Sequence, residues 1–129
     1  MEKNKNSSKT ILLVEDDKSL NKIIRLKLEN FGYNVLLAED AEEALKILDA
    51  HLPDLIWLDI YLPGISGLEL LKKIRQNRKT KDLKIAIVSV SGNNLKMEIA
   101  EKFSVKDFFI KSNYNLDELI KDIGNILNK

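Results

Sequence analysis

The sequence predicts an α/β fold, a (βα)5 arrangement in which five parallel strands form one doubly wound sheet. Short apolar runs alternate along the chain with segments whose apolar residues recur at helical spacing. The runs are almost continuously apolar, which is typical of parallel strands that are covered by helices on both faces. Because crossovers between parallel strands are right-handed, this order of elements builds an open sheet between two layers of helices.

The predicted strands are apolar runs of four to six residues, a usual length for strands. They are followed in each case by a polar or charged segment that leads into a helix. The runs are Ile11–Val14, Asn34–Leu37, Leu55–Leu58, Ile85–Val88 and Val105–Ile110.

The predicted helices are amphipathic segments in which apolar residues recur every three or four positions. Ile23 is predicted to belong to the apolar stripe of the first helix, and Gly32 to end that helix. The stripes run from Leu20 to Phe31, Ala41 to Leu48, Leu68 to Ile74, Leu95 to Phe103 and Leu116 to Leu127. Three of the helices begin with the spacing of a capping box. The pairs are Asp40 with Glu43, Ser66 with Glu69, and Asn115 with Glu118.

The composition is that of an ordinary globular protein with a single domain. The chain has 129 residues, which is enough to bury a core. Of these residues, 44% are hydrophobic and 32% are charged. It has 21 lysines and arginines against 20 aspartates and glutamates, a balance that predicts no direct nucleic-acid binding. Without cysteine, the chain forms no disulfides and no thiolate metal site.

The polar residues 1–9 are predicted to be a disordered lead-in to a folded domain of residues 10–129. They lack the apolar segment of a secretory signal, and no run in the chain is long enough to cross a bilayer. We therefore expect a cytoplasmic protein without membrane insertion. Because the sequence ends soon after the fifth helix, we expect a stand-alone domain, with an excised domain of a larger protein as the alternative.

Polar side chains follow four of the five predicted strands, at the edge where open α/β sheets bind ligands. The second strand is followed by Ala38 and Glu39, which do not form an obvious site. The residues that follow the first, third, fourth and fifth strands are, in order, Glu15-Asp16-Asp17, Asp59, Ser89 and Lys111.

Each of these signals has a simpler structural interpretation. Asp59 and Ser89 are residue types that often cap a helix or form a turn, and a lysine after a strand often marks the return to the surface. The acidic triplet is harder to explain structurally, because adjacent carboxylates repel one another unless a cation gathers them. Hard oxygen ligands of this kind favour Mg²⁺, whereas zinc is disfavoured without nearby histidine or cysteine.

Taken together, these side chains predict a site for acyl-phosphate chemistry. If the first and third strands are neighbours, the triplet and Asp59 converge on one Mg²⁺. A carboxylate nucleophile would attack phosphorus, while the metal, Lys111 and the Ser89 hydroxyl neutralise the phosphoryl oxygens. No strong base is available to activate water, which favours capture of a phosphoryl group over rapid hydrolysis.

The same segments resemble the response-regulator receiver domain of two-component signalling over residues 10 to 128. "ILLVEDD" resembles the acidic end of the family's first strand, and "LDIYLPGISG" resembles its phosphorylation segment, with Asp59 followed by Pro63 and Gly67. "IAIVS" and "DFFIK" resemble the ends of its fourth and fifth strands. The resemblance implies a flavodoxin-like sheet with strand order 2-1-3-4-5.

The resemblance implies that Asp59 accepts a phosphoryl group from a sensor histidine kinase or a histidine phosphotransfer protein. It implies that Glu15, Asp16, Asp59 and the backbone carbonyl of Tyr61 hold Mg²⁺, with Asp17 as a helix cap rather than a ligand. Phosphorylation would then change a face that binds an unknown downstream protein. The module would catalyse only its own phosphorylation and dephosphorylation.

Further residues are implied to switch or tune the site. Ser89 would move toward the phosphoryl group and Phe108 would turn in behind it, with Lys111 as the family's lysine. These two movements form one two-state packing change. Positions that tune the phosphorylated lifetime are occupied by Tyr61, Val90 and Ser91.

Two departures from the family pattern affect the same site. Val90 stands where the family usually has a very small residue, which could narrow access to the phosphoryl group. Ser112 stands where the family usually has proline. Because a cis bond before a residue other than proline costs about 2.5–4 kcal/mol, we predict a trans peptide between Lys111 and Ser112.

Two alternative functions stay open at this point. A degenerate receiver would bind a partner without phosphorylation, which the complete set of acids, serine and lysine argues against. A phosphatase of the haloacid-dehalogenase type would also use an aspartate nucleophile, Mg²⁺ and lysine. It requires a second acid two residues after the nucleophile, where this sequence has Tyr61.

Three other features favour structural interpretations. His51, at the end of the second helix, suits the helix dipole, and Trp57 is predicted to be a core residue on the same strand face as Asp59. A basic cluster near the third helix is interpreted as a solvated helix end, with a partner or phosphate surface as the alternative. It consists of Lys72, Lys73, Arg75, Arg78, Lys79, Lys81 and Lys84.

Overall fold

A computed structural model of the protein shows one five-stranded parallel sheet with strand order β2-β1-β3-β4-β5, as predicted. The structure describes residues 9–59, 66–89, 99, 101–105, 107–110 and 115–128. The strands are β1 (Thr10–Val14), β2 (Asn34–Ala38), β3 (Leu55–Leu58), β4 (Lys84–Ser89) and β5 (Asp107–Ile110).

Helical residues of five segments in the described part of the chain cover the sheet. Four of them are α1 (Lys18–Asn30), α2 (Ala41–Ala50), α3 (Gly67–Gln76) and α5 (Leu116–Leu127). The helical residues at positions 99 and 101–103 belong to the remaining helix, which we label α4. Among the described residues, no helix has both the length and the apolar character needed to cross a membrane.

The sheet separates two apolar layers because side chains alternate between the faces of each strand. One layer contains Leu12, Ile56 and Ile87 together with apolar residues of α2 and α3. The other contains Trp57 and Val88 together with apolar residues of α1 and α5. Trp57 is 1% exposed, which confirms its prediction as a core residue.

The predicted cap residues of α2, α3 and α5 are confirmed, and α5 carries a complete capping box. The Ser66 hydroxyl accepts a hydrogen bond from the Glu69 amide at 3.2 Å. Asn115 and Glu118 form a complete capping box, in which each side chain accepts from the other residue's backbone amide. Asp40 caps α2, but the Glu43 carboxylate accepts from the Glu39 amide instead of the Asp40 amide. The predicted capping box of α2 is therefore shifted by one residue.

The apolar stripe of α1 is narrower than predicted. Ile23 is 50% exposed, whereas Ile24 and Leu28 are buried. The buried face of α1 also includes Asn21, which lies one turn before Ile24. A step of about 100° per residue turns Ile23 well away from the centre of this face, so the prediction that it packs inward was wrong.

The boundary of β5 also differs from the prediction. The strand begins at Asp107, although Val105 is buried in the core layer of α2 and α3. Ser104 has a left-handed backbone conformation, with φ at 56°. The chain turns there before it enters the sheet, so the apolar character of Val105 reflects burial and not strand pairing.

Candidate functional site

The carboxyl ends of β1 and β3 place two acidic residues side by side. Val14 of β1 pairs with Leu58 of β3, so the next residues along the two strands are Glu15 and Asp59. The Asp59 amide donates to the Val14 carbonyl at 3.2 Å. This bond continues the ladder by one step, so the backbone at Asp59 is held by the sheet itself.

A second set of bonds fixes Glu15. Its amide donates to the Ala38 carbonyl of β2 at 3.0 Å. Its own carbonyl accepts from the buried Asn21 side-chain amide at 3.1 Å. Glu15 is therefore held from β2 on one side and from the first turns of α1 on the other.

Asn21 is a supporting residue that sequence reasoning missed. It is 1% exposed and occupies a position on the inward face of α1. A buried asparagine needs hydrogen-bond partners, and the carbonyl of Glu15 provides one. The signal in the sequence is a polar residue at an apolar position of a helix that directly follows the acidic triplet.

Three carboxylates meet at this edge of the sheet. Glu15, Asp16 and Asp59 each offer an oxygen atom, and these oxygens all lie within 4.8 Å of one another. Glu15 is 1% exposed and Asp59 is 6% exposed, whereas Asp16 is open to solvent. The site is thus a cleft with two buried acids as its floor and one acid at its rim.

Asp17 is separated from this group by its role in α1. Its carboxylate accepts a hydrogen bond from the Leu20 amide at 3.0 Å, which caps the helix as predicted. The Asp17 amide in turn donates to a carboxylate oxygen of Glu15 at 3.2 Å. The cap therefore also orients the Glu15 side chain toward the cleft.

The donor set fits a small divalent cation. An octahedral Mg²⁺ has oxygen ligands at about 2.0–2.1 Å, so opposite ligands are about 4.2 Å apart. Oxygens within 4.8 Å of one another need only small movements to reach such an ion. Zinc is a poor match, because the cluster contains neither histidine nor cysteine.

Ser89 lies beside this cleft at the end of β4. The register pairs Leu58 with Ile87, which places Ser89 one residue beyond the level of Asp59. Ser89 is fully buried, and its hydroxyl has no hydrogen-bond partner in the part of the chain that the structure describes. A buried hydroxyl without a partner is costly, so this atom is a candidate for a contact made in another state.

The two phenylalanines of β5 point to opposite faces of the sheet. Phe109 is 9% exposed and packs in the layer of α1 and α5. Phe108 is half-buried against the layer of α2 and α3 and pairs in register with Ile87. Because Ser89 is two residues after Ile87, Ser89 and Phe108 share one face of the sheet.

Several predicted site residues cannot be placed. Tyr61, Val90, Ser91, Lys111 and the peptide bond between Lys111 and Ser112 lie outside the described residues. Their roles remain predictions.

Comparison with known proteins covers almost the whole chain. Residues 11–124 match the sequence model of the response regulator receiver domain. The transcriptional regulatory protein CpxR of Escherichia coli is 34% identical over 119 residues, which cover 92% of this chain and 49% of CpxR. The response regulator ArlR of Staphylococcus aureus is 33% identical over 119 residues, which cover 92% of this chain and 52% of ArlR. The chain thus spans about half the length of these two relatives.

Solved structures agree with the sequence comparison. The response regulator TrrA of Thermotoga maritima, in complex with Mg²⁺ and beryllium fluoride, has a TM-score of 0.78 and 34% identity, covering 91% of this chain and 97% of TrrA. A CheY-like receiver domain of Methanospirillum hungatei has a TM-score of 0.83 and 28% identity, covering 93% of this chain and 94% of that domain. With the sheet order and the acidic cleft already established, these matches show that the chain belongs to the response regulator receiver domain family.

Proposed function

We propose that the protein is a phosphoacceptor signalling module in which Asp59 takes a phosphoryl group from a phosphohistidine. The observation that carries this proposal is the cluster of Glu15, Asp16 and Asp59, whose oxygens lie within 4.8 Å of one another at the carboxyl edge of the sheet. Glu15, Asp16 and Asp59, with the carbonyl of Tyr61, would hold Mg²⁺. The bound ion would supply positive charge against the phosphoryl oxygens.

The chain's own residues perform the transfer. A carboxylate oxygen of Asp59 forms the new bond to phosphorus while the bond from phosphorus to the histidine nitrogen breaks, and the histidine leaves with the electron pair. The sheet ladder holds the Asp59 backbone, so its carboxylate needs little reorganisation to attack. The low exposure of Asp59 limits the approach of water, which slows hydrolysis of the acyl phosphate.

Ser89 and Lys111 complete the site in this proposal. The Ser89 hydroxyl would donate to a phosphoryl oxygen, and the Lys111 ammonium would offset its charge. Movement of Ser89 would allow Phe108, on the same face of the sheet, to repack. Tyr61, Val90 and Ser91 would set the lifetime of the phosphorylated form.

The partners follow from the chemistry of the transfer. The donor would be a sensor histidine kinase or a histidine phosphotransfer protein, and the repacked face would bind a downstream protein. Support comes from the membership of the chain in the receiver family and from the TrrA complex with Mg²⁺ and beryllium fluoride.

Acetyl phosphate provides the test of this proposal, because it donates a phosphoryl group without a kinase. With Mg²⁺, intact-mass measurement should show one added phosphoryl group on the wild type and none on Asp59→Asn. Asp49→Asn is the matched control, since Asp49 is an exposed aspartate of α2, and it should be modified like the wild type. An unmodified wild type would favour the degenerate receiver, and steady turnover of small phosphate monoesters would favour the phosphatase.

A further inference from the structure

Arg75, in the last turn of α3, donates hydrogen bonds to backbone carbonyls in two other segments. Its Nε binds the Phe103 carbonyl at 2.6 Å, and its Nη2 lies 3.5 Å from the Ser104 carbonyl. Its Nη1 binds the carbonyls of Lys81 and Leu83 at 2.9 and 2.8 Å. One side chain thus joins α3, the α3–β4 loop and the end of α4.

The carbonyls at the end of α4 are groups that need an external partner. The last carbonyls of a helix lack amide donors within the helix, and Phe103 and Ser104 stand at this end. Ser104 has a φ of 56°, the left-handed conformation that is common just after a helix. Arg75 therefore caps α4 from a different helix, with a charge that also favours the negative end of the helix dipole.

The α3–β4 loop, which takes part in this contact, has hydrogen bonds of its own. The buried Thr80 hydroxyl donates to the Ile74 carbonyl at 2.7 Å, which ties the loop to the end of α3. The amides of Thr80 and Lys81 both donate to the Asn77 carbonyl, and the Leu83 amide donates to the Thr80 carbonyl. The two carbonyls that accept hydrogen bonds from Nη1 therefore belong to a loop with its own hydrogen-bond network.

Arg75 also lines a groove of about 430 Å³ with Lys72, Gln76, Lys102 and Phe103. Its guanidinium is not available to an anion in this groove, because four of its five N–H donors are directed at carbonyls. Burial lowers the pKa of the Arg75 guanidinium, and the nearby Asp82 carboxylate opposes this effect. The geometry indicates a structural link and not a phosphate site.

We propose that Arg75 is a positioning residue that fixes the C-terminal end of α4, so that residues 101–105 stay in place when Ser89 and Phe108 move. Ser89 precedes α4 in the sequence, and Arg75 binds the carbonyls at the C-terminal end of this helix. This inference rests on the proposed phosphorylation of Asp59. A lysine cannot replace Arg75, because a single ammonium does not span carbonyls in two segments.

Hydrogen exchange of the full chain, measured by mass spectrometry with and without Mg²⁺ and beryllium fluoride, tests the proposal. In the wild type, the phosphoryl analogue should change exchange in residues 90–98 and leave residues 101–105 unchanged within about twofold. In Arg75→Ala, exchange of residues 101–105 should rise about tenfold without the analogue, because the helix end loses its cap. The analogue should then change exchange in residues 101–105 as well.

Arg75→Lys and Arg75→Gln should behave like Arg75→Ala, and they keep the test valid if the alanine variant does not fold. Lys72→Ala is the matched control, since Lys72 lines the same groove and lies one turn earlier on α3. It should match the wild type in every peptide. A general loss of packing would raise exchange in β1 and β3 as well, whereas loss of the cap would not.

The outcomes separate this inference from the proposed function. Unchanged hydrogen exchange of residues 101–105 in the Arg75 variants would overturn the inference. A second contrary result would be that, in the wild type, the analogue changes exchange in residues 101–105 as much as in residues 90–98. If the wild type accepts a phosphoryl group from acetyl phosphate, only the inference falls. If it neither accepts one nor responds to the analogue, both fall together.

Discussion

Ser89 shows how a single residue can be suited to one state of the protein more than to another. Its hydroxyl is fully buried and has no hydrogen-bond partner among the described residues. Such a group lowers stability, because it has lost its hydration without compensation. A phosphoryl oxygen on Asp59 would supply the missing acceptor.

Replacing Ser89 by alanine should therefore have two opposite effects. The free energy of unfolding should rise by about 1 kcal/mol, because a buried polar group without a partner is removed. The affinity for beryllium fluoride with Mg²⁺ should fall about tenfold, because a hydrogen bond to a charged group is lost. Urea denaturation measures the first effect, and titration followed by Trp57 fluorescence measures the second.

Thr80→Val is the matched control for the Ser89 variant. Its buried hydroxyl already donates to the Ile74 carbonyl at 2.7 Å, so its removal should lower stability by about 1 kcal/mol. If Ser89→Ala also lowers stability by this amount, the Ser89 hydroxyl has a partner in the unmodified protein.

Residues of the site differ in how far the sequence alone could predict them. Asp59 and Glu15 follow apolar runs directly, so the strand-end rule locates both. Asn21 was missed because its role depends on its burial beneath the Glu15 carbonyl, which no local pattern reveals. Arg75 was assigned to a solvated basic cluster, because its carbonyl partners lie as far as 29 residues away.

At the scale of the elements, helix ends are of two kinds, those capped by residues nearby in the sequence and those capped by residues of another element. The N-terminal caps of α1, α3 and α5 are formed within three residues, so the sequence predicts them. The end of α5 is capped from β4, where the Lys84 ammonium donates to the Ile126 carbonyl at 2.9 Å. Together with Arg75 and α4, this shows that two residues of the basic cluster cap other helices.

The contribution of the α5 capping box to stability can be tested directly by substitution. Asn115 accepts from the Glu118 amide at 2.9 Å, and its own amide donates to Glu118 at 3.3 Å. Asn115→Ala should lower the free energy of unfolding by about 1 kcal/mol, because an amide at the helix start loses its acceptor. Asn125→Ala, at an exposed position in the last turn of the same helix and far from its N-terminal cap, should instead be neutral or slightly stabilising. Equal losses in urea denaturation of both variants would contradict a capping role for Asn115.

At the scale of the whole molecule, the order of strands places the acidic cleft. The chain reverses its direction of winding between β1 and β3, and these two adjacent strands carry Glu15 and Asp59 at their ends. The general rule for open α/β sheets therefore predicts where a ligand binds. It does not predict the spacing of the carboxylates or their burial, since both depend on the caps and buried bonds around Glu15.

Binding of Mg²⁺ in the same cleft, as proposed, would also raise the stability of the whole molecule. An ion that binds only the folded protein adds a free energy that grows with its concentration, about 2.7 kcal/mol at one hundred times the dissociation constant. Asp16→Asn should reduce this increment, because a neutral amide oxygen replaces one of three carboxylates within 4.8 Å. With a chelator present, the same variant should be as stable as the wild type or more stable, because one of three mutually repelling charges is gone.

Thermal unfolding with and without Mg²⁺ measures this linkage, and Trp57 fluorescence gives an independent dissociation constant. Trp57 lies two residues before Asp59 on the same face of β3, so metal binding should change its emission. Asp49→Asn, which removes one exposed aspartate of α2 outside the cluster, should keep the full increment. Equal stabilisation of Asp16→Asn and Asp49→Asn by Mg²⁺ would place the ion elsewhere, because only a site that uses the Asp16 carboxylate weakens selectively when that charge is removed.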